Sequence, residues 1–343
     1  MTKILIVLTG GTIGSKIQNN TINVTQNNYL KDFLDSNFKQ INFKIIKPLN
    51  ILSENSLPSD WNIIIKSIKK NWDNNFDGII ITYGTDTLSY ASSAFSQFFY
   101  NFDKPVILVS SDKPLKEKNS TGKHNLVSAV NFITKKKLHG TFVAYKNPNL
   151  EFVSFFLGSR VKQINPFNNK LDSILGGEFC RYQNNKFIYI KNNINPKLSN
   201  FKKKNFIKFE EIFSFSNKIL IIKTYPGINY KYFNLNKDKP KAILHSLYHS
   251  GTTNIKDQNN FSLLNFIEKC RSKKIIFYLS PINKKKNIYQ SLKTLLKLKV
   301  KILDGMSFES SYAKLSLAYG SFSSKKKIEK FLNKNNSFEK IKF

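Results

Sequence analysis

Short apolar runs separated by stretches with helical spacing constrain this chain more than any other feature, because parallel strands joined by crossover helices produce that pattern. In the first half, apolar runs at residues 3–8, 41–46, 79–82, 105–110 and 141–145 read as strands. Between them, Pro58-Ser59-Asp60 supplies a proline and an acid suited to a helix start, and Ile64, Ile65, Ile68 and Trp72 then repeat at helical spacing. Further helices are expected over 86–102 and 122–133. The order β, β, α, β, α, β, α, β predicts an α/β fold with a doubly wound, mainly parallel sheet in a larger N-terminal domain, residues 1–191. A polar, lysine-rich stretch containing Pro196 follows, and 192–214 is read as a linker. A second, smaller α/β domain is expected over 215–343, with strands at 219–223, 242–247 and 274–279 and helices near 261–270, 288–296 and 310–318. The length of 343 residues fits this division, at roughly 150 per domain.

Composition removes several classes of function. Two cysteines, Cys180 and Cys270, build neither a disulfide framework nor a cysteine-rich zinc site and are read as packing residues in a reducing cytoplasm. The four histidines are too scattered for a local ligand cluster, so no metal site is expected. No apolar run approaches the ~18 residues of a membrane span, and the first run leads straight into Thr9-Gly10-Gly11, unlike a signal-peptide core. The formal charge of +33 would ordinarily point to nucleic acid or an anionic membrane. Yet Arg160, Arg181 and Arg271 are the only arginines, whereas dedicated phosphate and base readers favour the guanidinium fork. The lysine excess is spread along both halves, beside abundant Asn, Ile and Phe, and is read as solvated surface.

Ligands of open α/β sheets sit beyond the carboxyl ends of strands, so the loops that follow strands carry the functional information. After the first strand comes Thr9-Gly10-Gly11-Thr12-Ile13-Gly14-Ser15, where adjacent glycines allow a tight turn and leave a hydroxyl at the strand's mouth. It has neither G-x-G-x-x-G spacing nor a Walker lysine, which argues against a phosphate cradle. After the strand ending at Thr82 comes Tyr83-Gly84-Thr85-Asp86-Thr87. By itself that loop reads as a helix cap. As a pair, two strand-end threonines with glycines and one carboxylate can converge on a small polar substrate.

These residues resemble the two signature loops of the bacterial L-asparaginases, specifically the type I cytoplasmic enzymes. The resemblance continues through Lys113-Pro114-Leu115, Ser120-Thr121-Gly122 with Asn125-Leu126, and Tyr225-Pro226-Gly227-Ile228. It implies that Thr12 is the nucleophile attacking the side-chain amide of asparagine, with ammonia leaving and water resolving the aspartyl ester. It further implies that Thr85 positions the water or the amide, that Asp86 anchors the α-ammonium, and that Ser53 binds the α-carboxylate. Gly11, Gly84 and Ser111 join Ser53 as the implied substrate-binding residues, and backbone N–H groups near Thr85 and Ser111 are the expected oxyanion donors. The family's tyrosine column falls near Ile22, with Tyr29 arriving late, and its lysine column falls on Gln163 with Lys162 one residue out of register. Tyr83 stands where the family has histidine, Thr121 where it has aspartate and Ser110 where it has glycine.

The leading expectation is therefore an asparagine amidohydrolase without cofactor. Two alternatives stay open: a catalytically impaired amino-acid-binding relic, motivated by the departures, and a tRNA-associated amidotransferase-like relative, motivated by the charge. The resemblance also implies a cytoplasmic homodimer or homotetramer, with no membrane or nucleic-acid partner for the leading reading.

Overall fold

The computed structural model describes residues 1–11, 13, 15–18, 21–24, 29–136, 138–202, 213–236, 238–256, 259–282, 288–298 and 300–341. It divides into two compact units: Met1–Ser214 with Asn336–Phe338, and Phe215–Asn335 with Glu339–Phe343.

Unit 1 begins with β1 (Thr2–Leu8), the hairpin β2 (Ser15–Gln18) and β3 (Thr21–Val24), α1 (Tyr29–Asn37) and β4 (Ile41–Ile46). Alternation continues through α2 (Pro58–Asn71), β5 (Gly78–Thr82), α3 (Leu88–Phe98), β6 (Pro105–Val109), α4 (Gly122–Lys136) and β7 (Gly140–Tyr145). The chain then adds β8 (Val153–Leu157), β9 (Cys180–Gln183) and β10 (Lys186–Tyr189). These strands form one sheet in the order β10-β9-β8-β7-β6-β5-β1-β4. From β4 to β7 every pairing is parallel, and from β7 to β10 every pairing is antiparallel. The expected mainly parallel sheet is thus present, and it carries an antiparallel extension that the sequence reading did not place.

Parallel strands buried on both faces read as continuous apolar runs, and that is what β1, β5 and β6 show. Ile4, Ile6, Ile80, Ile107 and Val109 share a core with Leu30 and Leu34 of α1 and with Leu126, Val130 and Ile133 of α4. Residues of the other parity, Leu5, Val7, Ile79, Ile81 and Leu108, are equally inaccessible. On the antiparallel side, phenylalanines fill the core. Phe132 stacks on Phe155 at 4.9 Å between centroids, and Phe201 lies 4.7 Å from Phe338.

Phe201 falls inside the stretch read as a linker, yet it is 1% exposed. Asn195 in the same stretch donates to the carbonyls of Glu178 at 2.7 Å and Ile190 at 3.0 Å, and Arg160 Nη1 donates to Ile194 O at 2.7 Å. A polar segment without apolar periodicity is fixed in this way by one side-chain amide and one guanidinium that satisfy backbone carbonyls, and by one buried ring. Residues 203–212 of that stretch lie outside the described residues.

Unit 2 contains β11 (Ile219–Ile222), β12 (Ala242–His245), α5 (Leu263–Ser272), β13 (Ile276–Ile282), α6 (Gln290–Lys297), β14 (Lys301–Asp304), α7 (Phe308–Ser321) and α8 (Lys325–Asn333). Its sheet runs β11-β12-β13-β14, all parallel. Ile243, Phe277 and Leu279 pack with Phe266, Ile267, Leu292 and Leu295 in its core. On α7, Lys314 forms an ion pair with Glu339, both side chains fully buried. No helix among the described residues is long and apolar enough to cross a membrane.

Candidate active site

Strand order fixes where a ligand can sit. From β1 the chain crosses to β4 on one side, and from β5 it crosses to β6 on the other, so the loops leaving β1 and β5 diverge and open a crevice at the carboxyl edge. The two strands are locked together just before that point, where Thr9 Oγ1 donates to Thr82 O at 2.6 Å, while Tyr83 N ties the end of β5 to β6 by donating to Val109 O at 2.9 Å.

Beyond this lock three loops meet at backbone distance. Gly11 N donates to Ile51 O at 3.1 Å, joining the β1 loop to the segment after β4. Gly11 has φ +74°, and a methyl group on it would lie 2.9 Å from Gly84 Cα. A methyl on Gly84 would in turn lie 2.6 Å from Ser53 Cβ. Glycine is required at both positions, because the backbone of Gly84 fills the space a side chain on Gly11 would need and the Ser53 side chain fills that beside Gly84.

Hydrogen bonds carry the convergence to the functional groups. Ser53, 3% exposed, donates through Oγ to Asp86 Oδ2 at 3.2 Å. Its carbonyl accepts from Thr87 Oγ1 at 2.9 Å and from Ser56 N at 3.0 Å. Thr85 lies between Gly84 and Asp86, half-buried, while Asp86 is exposed. The structure therefore brings together Gly11, Ser53, Gly84, Thr85 and Asp86. Thr12 lies outside the described residues, as does Gly14.

Ser111 follows β6, the neighbour of β5. Its hydroxyl is engaged in its own turn, donating to Lys113 O at 2.5 Å and accepting from Gly122 N at 3.1 Å. The hydroxyl thus holds the start of α4, and only the backbone of this residue is left for the oxyanion role expected of it.

Gln163, on which the resemblance puts the family's lysine column, is tied to the second loop and its helix. Its Nε2 donates to the Asp86 carbonyl, and its Oε1 accepts from Ser89 Oγ at 2.9 Å. Lys162 turns elsewhere, its ammonium 3.5 Å from Asp172 Oδ2. The anchoring role of Ser89 was not foreseen. A signal for it existed: Ser89, Ser92, Ser93 and Ser96 recur at helical spacing on an otherwise apolar helix, and buried hydroxyls need partners. Ser92 and Ser96 find theirs at Gly158 O, 2.9 Å, and Ser92 O, 2.7 Å.

Tyr83 supports the second loop from behind. Its hydroxyl lies 2.5 Å from Ser56 Oγ and accepts from Trp61 Nε1 at 3.1 Å. Burial pushes its phenol above the ordinary tyrosine range, so it is a neutral strut.

Known proteins place this arrangement in context. Residues 3–191 match the family model described as asparaginase, N-terminal. A glutamyl-tRNA(Gln) amidotransferase subunit of Methanococcus maripaludis is 31% identical over 251 residues, covering 69% of this chain and 56% of that protein. The chain thus spans about half the length of the curated amidotransferase relatives it matches. L-asparaginase of Thermococcus kodakarensis is 38% identical over 116 residues, covering 34% of this chain and 33% of that protein. The solved structure of the thermostable L-asparaginase from Thermococcus kodakarensis superposes with a TM-score of 0.80 at 22% identity, covering 100% of both chains, and so shares the fold. With the family model covering more than half of its residues, this chain belongs to the asparaginase family.

Proposed function

We propose that the chain is an amidohydrolase that converts L-asparagine to L-aspartate and ammonia in the cytoplasm, without metal or cofactor. Thr12 is the nucleophile. Its oxygen attacks the side-chain carboxamide carbon, the tetrahedral intermediate expels ammonia, and water then cleaves the aspartyl ester. Ser53 and Asp86 take the two ends of the amino-acid group: the hydroxyl donates to the α-carboxylate, and the carboxylate accepts from the α-ammonium. Thr85 orients the water or the amide, and backbone N–H groups near Thr85 and Ser111 receive the developing oxyanion.

The observation that carries this reading is the contact of Gly11 with Gly84 and of Gly84 with Ser53, which draws the loops after β1, β4 and β5 to one point. The Ser53 to Asp86 hydrogen bond supports it further, since a hydroxyl and a carboxylate already in contact can separate to take opposite ends of a zwitterion.

Two further readings rest on specific observations. Gln163 at the Asp86 loop puts an amide where the family has an ammonium, which favours slow turnover or binding alone. Similarity to amidotransferase proteins favours an amidase acting within a tRNA-dependent complex. One assay separates the three. Purified protein is incubated with asparagine, with and without tRNA, and ammonia is measured beside the Thr12→Ala variant. Release without tRNA that Thr12→Ala abolishes is the expected result, and release that survives the substitution refutes the nucleophile. Release only with tRNA favours the amidotransferase reading, and calorimetric binding of asparagine without ammonia favours the relic.

A further inference from the structure

Unit 2 holds a cavity of about 590 Å³ at the amino-terminal edges of its strands, where Lys218 precedes β11, Lys241 precedes β12 and Ile276 opens β13. The last turn of α7 and one side of α8 close it. Its size lies within the roughly 300–1,000 Å³ range of small-molecule sites.

The lining separates into a floor and a rim. Ile276, Tyr278, Tyr319, Phe322 and Ile328 form the floor. Tyr278 and Tyr319 meet edge to face at 6.2 Å, their hydroxyls hydrogen-bonded at 3.0 Å, so the aromatic wall is fixed. Lys218, Lys239, Lys241, Lys274 and Lys325 form the rim, with Asp238 and Glu329 as the acids among the lining residues. Glu329 is answered from outside the cavity by Lys301 at 2.8 Å, which leaves the rim's ammonium groups in clear excess. Two of these lysines are set side by side, since Lys241 N donates to Lys218 O at 2.9 Å, and Lys241 Nζ is tied to Tyr319 O at 3.0 Å.

Gathered ammonium groups repel one another and favour a multiply charged anion between them. An aromatic floor favours a planar ring. Lysine serves phosphate as a point charge without needing the guanidinium fork. We infer that this cavity binds a nucleoside phosphate, its base on the Tyr278, Tyr319 and Phe322 floor and its phosphates among the rim lysines. None of the residues placed in the asparagine site takes part, so either assignment can fail without the other.

The chain's general basicity makes simple phosphate binding uninformative, so binding must depend on the ring as well as the charge. The full-length protein is titrated calorimetrically at about 0.15 M salt with ADP, with adenosine, and with tripolyphosphate, which carries more charge and no ring. ADP is expected to bind one site per chain at least about tenfold more tightly than either control. The double variant Lys218→Glu, Lys274→Glu reverses charge on the rim, and Ser323→Trp fills the cavity without changing its charge. Each is expected to weaken ADP at least about tenfold while thermal unfolding stays in place. Absence of ADP binding, tripolyphosphate binding within tenfold of ADP, or ADP affinity untouched by both variants overturns the inference.

Discussion

Gly84 shows how little room the candidate site leaves its own loops. A single methyl there would meet Ser53 Cβ at 2.6 Å, and Ser53 is pinned in turn by Asp86, Thr87 and Ser56. The loop after β5 would have to retreat from the loop after β4 by a large part of an ångström. Catalytic geometry tolerates such retreat poorly, since displacement by about 1 Å can cost about a hundredfold in rate. Gly84→Ala is therefore expected to lower kcat/KM for asparagine about a hundredfold, at a stability cost of about 1–3 kcal/mol for the overpacking. Ammonia release and urea denaturation on the same preparation separate the two effects. Turnover near that of the unaltered chain would mean that the contact between these loops does not shape the site. At this scale the sequence was readable where close backbone approach demands glycine, at Gly11 and Gly84. It was unreadable where a partner comes from far along the chain: the Ser89 to Gln163 bond spans 74 residues, and local spacing carries no record of it.

His245 ends β12 with no accessible surface, and its element determines its proton. Nδ1 faces the Ser246 carbonyl, which can only accept, so Nδ1 carries the hydrogen and Nε2 accepts from Tyr230 OH at 2.9 Å. Burial pulls the imidazole's pKa down from 6.5 to about 4. Because the unfolded chain binds this proton first, the contribution is complete above pH 6.5 and is lost as pH falls toward 4. Up to about 3 kcal/mol is at stake. Urea denaturation from pH 7 to 4.5 is expected to show a decline that His245→Gln makes shallower by about 2–3 kcal/mol. Equal slopes for the two proteins would show that the ring titrates normally. Among elements, the buried parallel strands were legible because both faces demand apolar residues. The β9 to β10 hairpin was not recognised, although its turn residues Asn184 and Asn185, with φ 48° and 58°, are the type that tolerates the left-handed region. α8 was hidden by its own charge: Lys325 to Lys327 read as solvated surface, while Ile328, Phe331 and Leu332 bury the other face.

The whole molecule carries +33, almost all of it on lysine. The ion pairs at Lys3, Lys162 and Lys301 are partly exposed to solvent, where each contributes little to stability. Charge therefore acts here through long-range repulsion between copies. The family resemblance implies a homodimer or homotetramer, and assembly must work against a field that grows with every added chain. Screening decides the balance, because the Debye length falls from about 30 Å at 0.01 M salt to about 8 Å at 0.15 M. Association between copies is thus expected to strengthen with salt: sedimentation or light scattering should show smaller species near 0.01 M and the dimer or tetramer near 0.15 M. The opposite trend would place complementary charges across the interface. A monomer at the higher salt would remove the oligomer, and any asparagine turnover it then showed would have to come from one chain alone.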